Sequence, residues 1–374
     1  MKENPLGIFR FNKIIVPVFI GLGVGFYMIA REYSKNSALF SDLAGMFSSY
    51  SVMCLILAVM FECGREITYM IRIRMLSDGR LSWKQAFHII MLWEFSSTVT
   101  PTSVGGSAVA LFILPLEGLG AGRSTAMVMI ATLLDELFYI IITPVMVFVC
   151  GYSASFATKF KFSVFGLRIS ETHVFVIGYS FMVLLTLFIL TAIFFYPHKF
   201  KDFIYRLGSK KLFIRWKHKF FKMGDDVLTS SQEFKHKSFL YWVKVYLITV
   251  ASWSCRFLVL NCILAAFGTN TFGIAPVIAK TGDFLYNNAV IYVRQLVMWI
   301  VLCVSPTPGS SGVAEFAFPL FLNGFLKEGF EGILALLWRL FTYYPYIIVG
   351  LIVLPVFTQR VAKRKKQDKE AKKL

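Results

Sequence analysis

The chain is short of charge, short of histidine, and without the local signatures of most soluble chemistry. Charged residues make up 16% of its 374 residues against 57% hydrophobic ones, which is too apolar for a soluble protein of this size. The five histidines, His88, His173, His198, His218 and His236, lie far apart. No HExxH, GxSxG, P-loop or dinucleotide glycine fingerprint occurs, so zinc-protease, serine-hydrolase and nucleotide chemistry have no sequence basis. The six cysteines (Cys54, Cys63, Cys150, Cys255, Cys262 and Cys303) form no CxxC pair and have no histidine nearby. They sit in or beside apolar runs and read as reduced packing residues, so neither a metal nor any other cofactor is expected.

Positive charge and long apolar runs are abundant. Lys and Arg number 39 against 21 Asp and Glu, a net charge of +18. A nucleic-acid surface is excluded as the reading, because the cations are separated by runs of about 20 apolar residues that match the thickness of a bilayer core. Positive-inside orientation accounts for the same cations. The fold expected is therefore all-α and polytopic, with full spans near 14–30, 45–63, 124–149, 173–196, 239–267 and 332–357. Lys2, Arg10 and Lys13 precede the first of them, and no small-x-small cleavage site follows, so it reads as an uncleaved span.

Two further apolar regions, near 83–119 and 284–325, are interrupted. The first contains Thr100-Pro101-Thr102-Ser103-Val104-Gly105-Gly106-Ser107, the second Ser305-Pro306-Thr307-Pro308-Gly309-Ser310-Ser311-Gly312. Proline removes a backbone donor and glycine favours non-helical backbone, so each cluster is expected to split a helix in two. Unwound backbone persists in a bilayer only where protein buries it or where it lines a wet cavity. Residues 1–13, 64–84, 197–237 and 359–374 hold 27 of the 39 cations, which assigns them to the cytoplasm. Keeping 197–237 inside requires the first interrupted region to enter and leave from the cytoplasm, and the second then enters and leaves from outside. Two re-entrant hairpins of opposite orientation make an inverted repeat, with halves near 14–196 and 239–357, the arrangement that marks substrate sites in many transporters. Residues 1–358 form the transmembrane domain in this reading and 359–374 a basic tail, with both termini cytoplasmic in a bacterial inner membrane. Segments 197–237 and 359–374 alternate cations with apolar residues, as expected of a surface helix on anionic headgroups or of an orientation signal alone.

Ionisable residues inside the apolar runs are functional candidates, since each is costly at membrane depth. Arg123, Glu117 and Lys244 sit near span ends and can reach water, and Glu62 lies one turn from Arg65 and Glu66 in a structural ion pair. Glu315 follows the second interruption, where it either caps the reopened helix or positions a phosphate or cation. Asp135 and Glu136 are adjacent, about 100° apart on a helix, and so form no carboxylate dyad. Arg256, Arg294 and Arg339 are expected to gather at the second interruption and hold a phosphodiester, or else to pair with Asp135, Glu136, Glu94 or Glu315.

The run Ser305 to Glu315, followed by Trp338-Arg339-Leu340, Tyr343-Tyr344-Pro345 and Gly350, resembles the membrane region of lysylphosphatidylglycerol synthases/flippases over residues 12–358. The resemblance implies a flippase-type domain that passes a phospholipid across the membrane. It points to Pro306, Pro308, Gly309, Gly312, Glu315 and Arg339, with Pro101, Gly105 and Gly106 as counterparts in the first half. Ser107 and Ala110 stand where many relatives are more acidic and basic. Aminoacyl transfer in that family belongs to a soluble C-terminal domain, whereas this chain ends in a Lys-rich tail. The partners expected are anionic phospholipid or a lipid-linked substrate, a separate lipid-modifying enzyme and further copies of the chain. A membrane-embedded enzyme acting on phospholipids or lipid-linked sugars, with Glu315 or Asp135 as base, is the alternative. A scaffold gives no reason to break two helices.

Overall fold

The protein is an α-helical, polytopic membrane protein. The computed structural model describes residues 11–35, 37–100, 104–156, 161–164, 167–210, 214, 217–268, 281–303 and 307–371. It begins with α1 (Phe11–Lys35), a short α2 (Leu39–Gly45) and α3 (Ser49–Leu76). A first broken pair follows, α4 (Trp83–Val99) and α5 (Val104–Leu116), and then α6 (Ala121–Cys150) and a single turn, α7 (Tyr152–Ser155). Two short antiparallel strands, β1 (Lys161–Val164) and β2 (Leu167–Ser170), lead into α8 (Glu171–Leu190), which ends in a π-helical turn at Thr191–Phe195. Helices α9 (Pro197–Gly208) and α10 (Lys217–Lys235) pack on each other, and α11 (Phe239–Phe267) packs along α3. The second broken pair is α12 (Thr281–Cys303) and α13 (Val313–Phe321), and α14 (Glu331–Thr342) and α15 (Tyr344–Ala371) complete the chain.

Five helical segments among the described residues are long and apolar enough to cross a bilayer, and α2 with α3, bent by 89°, makes a sixth. Helices prevail because hydrocarbon offers no partner to a backbone amide, so each segment must satisfy its own. Their outer faces carry large apolar side chains that water would not tolerate in such number, Phe148, Leu184 and Ile352 among them. Inside are two apolar cores, one around each broken pair. Phe95, Ile113, Met127 and Phe357 belong to the first, and Leu260, Val297, Phe318 and Leu334 to the second. A smaller aromatic cluster, including Phe138, Tyr139, Trp253 and Phe257, is distinct from both.

One expectation needs correction, and two others gain detail. The span near 45–63 continues to Leu76, which takes Arg65 and Arg72 out of the loop assigned to them and buries both. The span expected near 332–357 is present as Glu331–Lys363, with a local break at Tyr343, where φ is −134° and ψ −59° and Pro345 has no N–H for the preceding turn. The residues of the basic tail up to Ala371 continue the helix of the last span, α15. The broken pairs also differ from each other: α12, with 23 residues, is long enough to cross alone, whereas α13 has 9.

Outside the spans, the turn between α3 and α4 is fastened by Asp78. Its carboxylate accepts from Lys237 Nζ at 2.5 Å and from Arg123 Nη2 at 2.6 Å. Burial pushes its pKa up, but the two cations outweigh burial and hold it below the usual 3.8. Asp78→Asn keeps a residue type that accepts the φ of +52° at this position and removes the charge. The variant should lose ~0.5–1 kcal/mol, a drop of a few degrees in the unfolding midpoint of the solubilised protein. Because the folded pKa is depressed, this stabilisation is present above about pH 4 and is lost as pH falls through the lower folded value. The gap between variant and wild type should therefore close in acid, as melting curves across pH would show.

Candidate functional site

Helix α4 ends in a run of small hydroxyl residues whose side chains turn back onto its own carbonyls. Ser97 Oγ donates to the Trp93 carbonyl at 3.0 Å, Thr98 Oγ1 to Phe95 at 2.7 Å and Thr100 Oγ1 to Ser96 at 2.5 Å. This answers a problem every helix end has inside a membrane, where the last carbonyls lack partners. The carbonyls of Thr98 and Thr100 are satisfied from the other half of the chain: Tyr343 Oη donates to Thr98 at 3.2 Å, and Gly309 N to Thr100 at 3.4 Å. The two interruptions thus touch each other.

The second interruption is a tight turn with positive φ at Gly309 (56°), Ser310 (54°) and Gly312 (84°). Ser310 N donates to the Thr307 carbonyl and Ser311 N to that of Pro308, each at 3.0 Å. Gly309 is required twice over, by its φ and by space, since a Cβ there would come within 2.5 Å of the Tyr343 ring and 2.8 Å of the Thr98 carbonyl. Gly309→Ala should therefore separate the two interruptions and cost ~2–4 kcal/mol, from strain together with overpacking. A lowered melting temperature, with loss of accessibility protection for a cysteine placed at Thr98, would report it.

Glu315 and Arg339 hold this turn from behind. Glu315 Oε2 accepts from Gly312 N at 2.6 Å, and its Oε1 accepts from Arg339 Nε at 2.8 Å. Arg339 Nη2 also donates to the Gly309 carbonyl at 3.2 Å. Both residues are buried, Glu315 to 1% exposure. Of the two roles open to it in the sequence, the carboxylate fills that of helix cap.

In front of the interruptions lies a cavity of about 330 Å³. Thr98, Ser107, Thr307, Gly309 and Ser310 contribute its interrupted wall. Asp135, Glu136 and Arg256 face it from α6 and α11, and Arg339 from α14. Four of the chain's seven tryptophans, Trp93, Trp253, Trp299 and Trp338, line it with Tyr69, Tyr139, Tyr343 and Tyr346. Aromatics of this kind ordinarily collect at the membrane–water interface; here they wall an internal cavity.

The charges around it are nearly all paired. Arg65, 1% exposed, is gripped by Glu66 at 2.5 Å, Glu94 at 2.8 Å and Glu62 at 3.6 Å, with the Tyr346 hydroxyl donating to Glu66 at 2.7 Å and meeting both Arg65 and Glu62. Arg72 binds Asp135 through two bonds, at 2.5 and 3.2 Å, and Trp253 Nε1 donates to the same carboxylate at 2.8 Å. Two groups stand apart. Arg256 makes no hydrogen bond or ion pair among the described residues and lies against the rings of Trp299, at 4.4 Å, and Trp253, at 5.7 Å. Glu136 Oε2 is buried with no hydrogen-bond partner.

Residues 14–350 match a family model described as the lysylphosphatidylglycerol synthase TM region. The chain belongs to that family. A UPF0104 membrane protein of Archaeoglobus fulgidus is 28% identical over 314 residues, covering 80% of this chain and 84% of the relative. No solved structure matches. As a member of this family, the chain is a multi-pass membrane protein.

Of the residues singled out from sequence, the cavity brings together Asp135, Glu136, Arg256, Gly309 and Arg339, with Glu315 and Gly312 directly behind. Pro308 supplies a carbonyl to the turn. Gly105 lies in the first turn of α5, and the buried Gly106 allows α5 to approach Ser97 and Trp93 of α4. Pro101 and Pro306 lie outside the described residues. Arg294 does not join the others: its guanidinium donates to the carbonyls of Ala154 at 2.8 Å and Asn323 at 2.7 Å, where it ties α12 to the single turn α7 and to the loop after α13. The ion pair expected of Glu62 with Arg65 is present, but sequence reasoning missed Arg72 and Tyr346. The signal available was the spacing of Glu62, Arg65, Glu66, Tyr69 and Arg72, which sets them on adjoining faces of one helix.

Proposed function

We propose that the protein moves a lipid headgroup across the membrane through this cavity, while the acyl chains remain in the surrounding lipid. The observation that carries the reading is the contact between the two interruptions, Gly309 N to the Thr100 carbonyl, at the wall of a largely aromatic cavity that Asp135, Glu136, Arg256 and Arg339 also face. Holding two helices open against each other is costly in hydrocarbon and is tolerated where backbone lines a wet passage. In this reading the interrupted pairs are re-entrant hairpins of opposite orientation, as in transporters whose sites lie at the junction of two repeats, and both termini are cytoplasmic. Family membership supports a lipid as the cargo.

Arg256 is the group that engages the phosphate, because the other guanidiniums at the cavity already hold carboxylates. Arg339 serves the fold of the interruption instead. Purified protein in liposomes containing an acyl-labelled phospholipid should expose inner-leaflet label to a membrane-impermeant quencher. Arg256→Gln, which keeps size and removes charge, should slow that exposure at least tenfold, about 1.4 kcal/mol or more in barrier. Movement at the wild-type rate by the folded variant would reject this assignment.

A further inference from the structure

Sequence alone leaves two readings of the basic segment 197–237, a surface helix on anionic headgroups or an orientation signal, and the folded chain fixes which way that segment faces. α9 turns Pro197, Ile204 and Gly208 inward, and a Cβ at Gly208 would come within 2.5 Å of the Phe220 side chain of α10. Tyr205 stacks on Phe221 with ring centroids 4.1 Å apart, and Lys201 Nζ pairs with Asp225 at 2.6 Å. α10 in turn packs on α6, and its Ser231 hydroxyl donates to the Ile193 carbonyl in the π-helical turn that ends α8. Held on that side, α9 has one orientation about its own axis.

The opposite face carries cations and aromatic rings side by side. Lys199, Phe203 and Arg206 stand at i, i+4 and i+7, on one stripe of the helix, and Lys210 follows just past its last turn. All four are exposed, Phe203 to 53%, and the three cations make no ion pair among the described residues. Phe203 stacks on Phe200 at 6.3 Å, and Phe200 meets Phe188 of α8 edge-on at 5.9 Å. Phe188 is half exposed on a segment, Glu171–Phe195, that is long and apolar enough to cross the bilayer. The outer surface of that span therefore continues round the corner onto α9, with the cationic row along its border.

An acidic protein would answer the cations but gives no reason for rings continuous with a lipid-facing span. Hydrocarbon alone would answer the rings and leave the cations without partners. The boundary between acyl chains and anionic headgroups answers both. We propose that α9 is a docking face for anionic phospholipid in the surface of the bilayer, with Phe200 and Phe203 at the top of the acyl layer and Lys199, Arg206 and Lys210 on the headgroup anions. None of these residues lines the cavity, so the proposal is independent of lipid movement through it.

The test is reductive methylation of lysines, with neutral reagents, on the full chain in nanodiscs, read residue by residue by mass spectrometry. One set of discs holds phosphatidylcholine alone and the other about 30% phosphatidylglycerol. In the anionic discs Lys199 and Lys210 should react about fivefold more slowly than in phosphatidylcholine, while Lys84 and Lys363, exposed lysines of α4 and α15, change less than about twofold. High salt should restore most of the lost reactivity. Phe203→Ser keeps every charge and changes a half-exposed side chain, so it should fold and bring Lys199 and Lys210 to the level of the controls. Equal slowing of all four lysines would reduce the effect to general surface charge and overturn the proposal, a result that needs no variant. Protection unchanged in the folded Phe203→Ser protein would overturn it as well. Protection absent from both sets of discs but present in native membranes would assign the face to a partner protein and overturn the lipid.

Discussion

Arg65→Met is expected to destabilise the protein more than any other single change considered, by ~3–5 kcal/mol or more. The side chain is fully enclosed and is the common partner of Glu62, Glu66 and Glu94, so its removal leaves three carboxylates facing one another without a counterion. Methionine fills most of the volume, which makes the loss electrostatic and not a cavity effect. Size-exclusion profiles of the solubilised variant should show aggregation, or the unfolding midpoint should fall by ten degrees or more. Adding Glu94→Gln to Arg65→Met should recover part of the loss, because it removes one of the opposed charges. An Arg65→Met protein as stable as wild type would show that the cluster does not hold the fold.

The second large effect is expected at Glu315. Glu315→Ala removes the acceptor of the Gly312 N–H and the counterion of Arg339 together, leaving a guanidinium buried without its carboxylate. The cost should be ~3–5 kcal/mol. Glu315→Gln retains an oxygen that can accept from Gly312 N or Arg339 Nε and should cost less, ~1–3 kcal/mol. The order matters more than either value: Gln well above Ala in thermal stability identifies the residue as a cap and strut of the interruption. Equal stability of the two variants would mean that the carboxylate contributes nothing to the turn.

These two sites differ in how readable they were. The interruption at 305–312 stands out in sequence because Pro, Gly and Ser cluster inside an apolar run, and backbone preference is a local property. The same holds for the interruption at 100–107 and for the long apolar helices, whose length follows from the bilayer. Arg65 is different. In sequence it is one of several cations at the edge of an apolar stretch, like Arg74 and Arg80. It becomes a buried hub only because α4 supplies Glu94 and α15 supplies Tyr346. Arg294 shows the converse, a cation deep in an apolar run whose partners turn out to be backbone carbonyls of α7 and of the loop after α13.

By itself the sequence determined that this is a helical membrane protein with two interrupted segments, since hydropathy and backbone chemistry act over a few residues and need no partner. Only the tertiary structure decided that the interruptions meet, that Glu315 caps the turn and pairs with Arg339, and that Arg256 and Glu136 make no ion pair among the described residues at the cavity. Which charge neutralises which is a matter of distance between helices far apart in the chain, and the pairing energy, large where water is excluded, is set by those distances alone.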